Sequence, residues 1–451
     1  MSRNETPGVG DAERTGVMGK WSLLAMGIGV MIGAGIVTLT GQSIGLTGYS
    51  TWLAFVIALV LGFIYNIPAM FVTSAVRVDG GPYALVSTVL GRRFGGMYII
   101  GALLFMPGVA LYCTSLAGYV VSLLPGLDKT LVTLAILTIF YIINLCGIKA
   151  ITISQNVMTS LLVAALMMLA VLGMGKVDFS LLNPGKNPEF YLNGSAGLMD
   201  AALLLMFSTY GTWWIMFFSR HAKHPKKDIP FAFIGTTIVI TIVYVSVSIV
   251  ASGILPISVT ANAPLTYVAK EVLPDWLYIL FMVGGPLMAL ATTINGCFTV
   301  YTEPIYVATR NGWFPQSFGK TTKQGVPWKI LTLMYLTGLI PIALKWDINM
   351  ITNCYMLINL IVAVLMMASF ALVPSRYPQA WADRQYRIPT WLFYVFVALA
   401  VAVQLYVIYS KLQTVKWYVI VITIVDLVFG YFYATKLDKK GQVITPSIEL
   451  Q

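Results

Sequence analysis

Two short runs carry residue types able to hold a small polar ligand without charged side chains. The first, GIGVMIGAGIV, crowds Gly27, Gly29, Gly33 and Gly35 into one apolar stretch, and the second, Phe207-Ser208-Thr209-Tyr210-Gly211-Thr212, interrupts another with hydroxyls and a glycine. If a helix unwinds at such a point, the start of its second half presents free N–H groups and a positive dipole end, which favour a carboxylate. The carbonyls that end the first half, and those near Ser208–Tyr210, favour an ammonium or a cation. A zwitterion with both groups satisfies the pair. A competing reading of the glycines is close helix packing, for which small residues are used throughout membrane proteins.

Other chemistry-bearing residues are few. His221 and His224 share one basic loop, and Cys113, Cys146, Cys297 and Cys354 lie in apolar stretches without a paired pattern, so neither a metal site nor a disulfide framework is expected. Three acids fall at or within apolar windows. Asp200 opens one of them, where a carboxylate at a helix N-terminus is the expectation. Glu303 stands about two turns before Arg310 on the same helix, and two readings stand for it, a gate or proton-coupling group and a structural ion pair. Asp426 lies in the last window, and a contact with a neighbouring helix or subunit is expected there. Trp213 and Trp214 follow the second interruption as packing or gate-lining groups.

The elements that must position these groups are set by hydropathy. The chain has 451 residues, 58% hydrophobic and 10% charged, with mean hydropathy +0.82. Soluble domains carry about 25% charged residues, so a soluble enzyme, a disordered chain and a nucleic-acid-binding module are all excluded. Charge-free windows of about 20 residues mark membrane helices. Trp21–Val76 is long enough for two, with Gly41–Gly48 as the expected turn, and ten further windows follow, including Ala150–Gly175, Ala201–Ser219 and Trp276–Thr302. About twelve spans result, leaving no room for a soluble domain, and a small interfacial helix is expected within Leu255–Pro274. With the N-terminus inside, only Lys129, Lys176, Lys186, Lys270, Lys345, Lys411 and Lys416 of the 28 basic residues fall outside. That bias predicts a cytosolic N-terminus. The formal charge of +11 is therefore read as topology.

The first interruption lies in the first span and the second in the sixth. A spacing of five spans suggests two five-helix repeats plus two further helices, with a site between helices one and six.

Five short motifs, in order, resemble the amino acid–polyamine–organocation permease superfamily over nearly the whole chain. They are Gly29–Ile36 (GVMIGAGI); Asp79-Gly80-Gly81-Pro82-Tyr83 followed by Leu90-Gly91; His224-Pro225-Lys226-Lys227-Asp228-Ile229-Pro230; Ala308–Pro315 (ATRNGWFP) with Gly325-Val326-Pro327; and Arg384-Gln385-Tyr386-Arg387-Ile388-Pro389. The resemblance implies an all-α membrane protein of about twelve helices, a five-plus-five inverted repeat with discontinuous helices 1 and 6, alternating access, and amino-acid or polyamine substrates. It divides the chain into a cytosolic tail 1–20, helices 1–5 in 21–175, an outer loop and helices 6–10 in 176–375, helices 11–12 in 376–435, and a cytosolic tail 436–451.

By position, the resemblance gives Gly33, Ala34 and Gly35 as amides for a carboxylate. Met31, Ile32, Phe207, Ser208 and Tyr210 would offer carbonyls to an ammonium, with Gly211 beside them and Phe207 and Tyr210 as aromatic lids. Trp213, Glu303, Thr292 and Thr293 are gating or coupling candidates. The lysine that several family members carry in helix five is replaced near Leu162 by apolar sequence, and a sodium site would draw on Thr292, Thr293 and Thr299. Glu303 occupies the place of a family arginine. The chain is thus expected to be a secondary active amino-acid permease of the cell membrane, multi-pass, with both termini cytosolic. Its partners are a small amino-acid substrate and membrane lipid, not nucleic acid. No catalytic residue, cofactor or bound metal is expected. Proton and sodium both stand as coupling ions, the oligomeric state is left open, and a polyamine/amino-acid exchanger and a non-transporting amino-acid sensor are the alternatives.

Overall fold

The computed structural model describes residues 16–33, 35–206, 208–209, 211–346, 348–413 and 415–446, without the side chains of 348–350 and 353–355. Long runs of Leu, Ile, Val, Ala and Met without charge satisfy their backbone internally as helices, the one open-ended solution available in a bilayer. In chain order these are α1 (Lys20–Ile32), α2 (Gly35–Thr47), α3 (Thr51–Ala75), the short α4 (Pro82–Val89), α5 (Arg92–Leu103), α6 (Val109–Leu123), α7 (Lys129–Leu145), α8 (Ile148–Met174) and α9 (Gly194–Met206). A tight 3-10 run, Gly211–His221, continues the line of α9. Then follow α10 (Pro225–Gly253), the short α11 (Ile257–Thr260) and α12 (Thr266–Val272), α13 (Asp275–Met282), α14 (Met288–Arg310), α15 (Trp328–Ala343), α16 (Ile348–Arg376), the short α17 (Pro378–Ala382), α18 (Thr390–Leu412) and α19 (Trp417–Lys439).

Among the described residues, nine helical stretches are long and apolar enough to cross a membrane, with Gly35–Ala75 counted as one; three shorter apolar helices accompany them. Taking α1 with α2, α5 with α6, α9 with its 3-10 continuation, and α13 with α14, the helices form twelve membrane-crossing segments, as the sequence predicts. The interfacial element expected within Leu255–Pro274 is the pair α11 and α12.

One expected turn is displaced. Gly41–Gly48 is not a loop: α2 runs through to Thr47, and the chain reverses over Gly48–Ser50 alone. Gly41 is there for packing. Asn262 donates its N–H to the Gly41 carbonyl at 2.7 Å, and Leu265 donates to the Val37 carbonyl at 2.8 Å. A Cβ on Gly41 would overlap the Ala263 carbonyl. The glycine lets the α11–α12 loop lie directly on α2.

Both described chain ends dock on the face that bears the arginines. Met18, fully buried, donates its N–H to the His221 carbonyl and accepts from Lys223 N–H, each at 2.9 Å. At the other end, Ile444 donates to the Asn311 carbonyl at 3.0 Å, and Arg92 donates to the Val443 carbonyl at 3.1 Å. Helix α19 extends to Lys439, so the tail after it starts at Lys440.

Candidate functional site

The four glycines of the first segment do two different jobs. Gly33 ends α1 at φ 45° and ψ −153°, a combination that costs a side-chain-bearing residue about 1–3 kcal/mol. Space is not its constraint, because an added Cβ would meet only Thr293 Oγ1, at 3.4 Å. Gly27 and Gly29 are packing glycines. A Cβ on Gly27 would sit 2.6 Å from Ile215 Cδ1, and one on Gly29 2.7 Å from Thr292 Cβ. Gly35 opens α2 against Ser208, whose Cβ an added methyl would strike. The packing and the unwinding readings are both correct, at different positions of one run.

The break strands the last carbonyls of α1, which have no partner further along the helix. Gly29 O accepts from Thr292 Oγ1 at 2.9 Å and from Thr293 Oγ1 at 3.4 Å. Tyr244 on α10 lies between the two broken segments, its hydroxyl 3.4 Å from Ile32 O and 3.2 Å from Ser208 O. The sixth segment is pinned across its break by α3. Thr209 donates to the Ala58 carbonyl at 2.8 Å, and the Trp213 N–H donates to Asn66 Oδ1 at 2.9 Å. Thr212 reaches back to the Met31 sulfur at 2.9 Å.

Between these breaks lies a cavity of about 220 Å³. Met31, Ile32, Gly33, Gly35, Ser208 and Gly211, expected as substrate-binding residues, line it together with the gating or coupling candidates Trp213 and Thr293. Ala34, Phe207 and Tyr210 lie outside the described residues. Thr292 stands behind the wall, holding the Gly29 carbonyl. Thr299 does not line this cavity but a smaller one near Glu303. Tyr112 and Ser115 of α6 and Asn359 of α16 also line the main cavity. Sequence reasoning missed them, together with the supporting Asn66 and Tyr244. The available signal for each was a polar residue within an otherwise apolar window.

Glu303 is not in the cavity. It lies ten residues beyond Thr293 on α14, about 15 Å at a rise of 1.5 Å per residue. Its partner is not Arg310 on its own helix but Arg220 at the end of the 3-10 run. The Arg220 guanidinium grips both carboxylate oxygens, Nε on one and Nη2 on the other at 3.0 Å, and His221 Nε2 stands 3.3 Å from the second. Arg220 is 2% and Glu303 3% exposed, and Tyr306 stacks on the guanidinium 4.8 Å away. A second pair, Arg77 with Asp79 at 3.0 Å, joins the same layer through Ser219, whose hydroxyl donates to Asp79 at 3.1 Å. The acid of α14 thus meets a base supplied by the sixth segment.

Between cavity and ion pairs is an aromatic layer. Trp214 packs edge-on against Tyr301 at 6.1 Å, while Trp213 and Phe217 at 5.7 Å and Phe105 and Tyr301 at 6.3 Å pack as tilted pairs. Trp213 is 5% exposed and Tyr301 2%. The cavity is therefore walled off from the arginine face by an aromatic plug and a charged latch.

On helix five, the side chains that crowd Gly29 are Gln155 and Thr159, two turns and one turn before the buried Leu162. Thr159 donates to the Ala25 carbonyl at 2.9 Å, and Asn295 on α14 donates to Gln155 at 2.8 Å. This position is polar but uncharged. Asp426 faces Gly101 across the α5–α19 contact, away from the cavity; Asp200 is not at a helix N-terminus as expected but lies exposed in the second turn of α9, which starts at Gly194.

A helical membrane protein with an internal cavity bounded by two interrupted helices belongs to the class of carriers rather than enzymes. The chain belongs to the amino acid permease family, whose model matches residues 18–426. It is similar to the branched-chain amino acid permease of Bacillus subtilis, 27% identical over 376 residues covering 77% of this chain and 80% of that one. It is 23% identical to the methylthioribose transporter of the same organism over 445 residues, 92% of this chain and 93% of the other. It also resembles the cadaverine/lysine antiporter of Escherichia coli K12, 24% identical over 317 residues, 68% and 69% of the two chains.

Proposed function

We propose that this permease binds one amino-acid zwitterion at the paired breaks and carries it across the cell membrane by alternating access. The observation that carries this reading is Gly33. Its glycine-only backbone ends α1 in the wall of a cavity that also contains the start of α2 and Ser208. The first-turn N–H groups of α2, at Gly35 and beyond, take the carboxylate, aided by the helix dipole. The carbonyls of Met31, Ile32 and Ser208 take the ammonium. Tyr244 keeps the two sets of carbonyls in register.

In this conformation the arginine face is sealed by two layers. Trp213, Trp214 and Tyr301 separate the cavity from the loops, and Arg220 with Glu303 ties the sixth segment to α14. Transport requires both to open, with the Met18–Ala222 pairing released as the sixth segment moves. Segments 21–175 and 176–375 supply the two repeats, and the termini lie in the cytosol with the arginine-rich loops. Thr292 and Thr293, which bridge α14 to Gly29 O, are where a coupling ion would act on the first break.

The testing experiment is uptake by proteoliposomes against a panel of amino acids, with sodium and pH gradients imposed separately. Accumulation of an amino acid above equilibrium under one gradient supports the reading. Binding of amino acids without flux under any gradient would instead make the protein a sensor.

A further inference from the structure

The backbone site accounts for the part that all amino acids share; the rest of the cavity decides which side chain can follow. Among the described residues, no Asp, Glu, Lys or Arg lines it. The rest of its lining is largely apolar, with Leu111, Trp213, Trp214, Leu290, Met356 and Leu360. Its polar side chains away from the breaks, Tyr112, Ser115 and Asn359, are all neutral. The carboxylate further down α14, Glu303, is bound to Arg220 and His221 behind the aromatic layer. A second ammonium brought in by a substrate would lose its hydration and gain no opposite charge, with only the ring faces of Trp213, Trp214 and Tyr112 and neutral polar groups to offset a cost of several kcal/mol. A second carboxylate faces the same penalty.

We propose that the cavity selects amino acids with uncharged, apolar side chains, of leucine or phenylalanine type, and rejects basic amino acids, polyamines and acidic amino acids. This rests on the reading of the cavity as an amino-acid site. Leucine outbinds alanine by burying three more carbons against Leu111, Leu290 and Met356. Each buried methylene contributes about fourfold in affinity, so the pair differs by about sixtyfold.

The test is equilibrium binding of radiolabelled L-leucine to the purified full-length protein in lipid nanodiscs, competed by L-phenylalanine, L-alanine, L-lysine, L-glutamate and putrescine. The expected result is displacement by phenylalanine within about tenfold of leucine, by alanine about sixtyfold more weakly, and by the charged compounds at least a hundredfold more weakly. Lysine or putrescine competing within tenfold of leucine overturns the selectivity while leaving the amino-acid site standing. If no amino acid binds, the function proposed above fails with it. The variant Ser115→Asp places a carboxylate in the cavity wall and should improve lysine relative to leucine at least tenfold. A folded Ser115→Asp protein with an unchanged lysine-to-leucine ratio would overturn the charge argument.

Discussion

Replacing Gly33 by alanine separates backbone conformation from space. Gly33 holds φ 45° and ψ −153°, a region open essentially to glycine alone, and forcing a side-chain-bearing residue into it costs about 1–3 kcal/mol. The added methyl itself has room, since its nearest neighbour is Thr293 Oγ1 at 3.4 Å. The whole effect therefore falls on the break. Alanine relieves the strain by letting α1 run on towards α2, which withdraws the N–H groups and carbonyls proposed to hold the zwitterion. Binding of L-leucine to Gly33→Ala should weaken by about five- to 150-fold, the same 1–3 kcal/mol expressed as affinity. Size-exclusion behaviour and membrane insertion should be unchanged. Gly27→Ala is the contrasting control: its methyl would meet Ile215 Cδ1 at 2.6 Å, so it should lower thermal stability first. Leucine affinity at the wild-type level in well-folded Gly33→Ala would refute the backbone site.

Three further substitutions probe the parts around the break. Tyr244→Phe removes the hydroxyl shared between Ile32 O and Ser208 O; at about 0.5–1.5 kcal/mol for a hydrogen bond, leucine affinity should fall about two- to tenfold, read by the same binding assay. Glu303→Gln leaves the Arg220 guanidinium buried without its counter-charge and should destabilise the protein by about 3–5 kcal/mol, seen as a lower thermal-unfolding midpoint that the double variant Arg220→Gln/Glu303→Gln partly restores. Asp426→Asn should leave uptake within twofold of wild type, because its buried Oδ2 has no hydrogen-bond partner and faces α5 rather than the cavity. Its unfolding midpoint should be equal or higher.

The positions of the twelve segments were readable from sequence because water-to-lipid transfer punishes charge so strongly that charge-free windows map directly onto helices. Turn placement was less readable. The glycines between Gly41 and Gly48 have the composition of a loop, yet Gly41 serves a close backbone approach by the Asn262–Ala263 segment, a tertiary contact that local sequence does not encode. The same limit applied to Gly27 and Gly29, which face Ile215 and Thr292, and to Gly33, which breaks the helix: composition is identical, and only the neighbours differ. The breaks were legible because two polar or glycine-rich interruptions recur five spans apart. Their supports were not, since Tyr244, Asn66 and Asn359 lie in three different apolar windows, with nothing in their local sequence to set them apart from other polar residues there, and act on the breaks only through packing. Glu303 was visible as a buried acid, while its partner lay 83 residues away, beyond any helical spacing.

The central claim is that the backbone of the two breaks recognises the ammonium and the carboxylate together. Its most direct measurement is competition for L-leucine uptake into proteoliposomes by three isosteric probes: L-isoleucine with both groups, L-leucinamide without the carboxylate, and 4-methylpentanoate without the ammonium. The account predicts strong competition by isoleucine and a loss of at least a hundredfold for each of the other two, with an apolar side chain present in all three. Competition by leucinamide or 4-methylpentanoate within tenfold of isoleucine would contradict it.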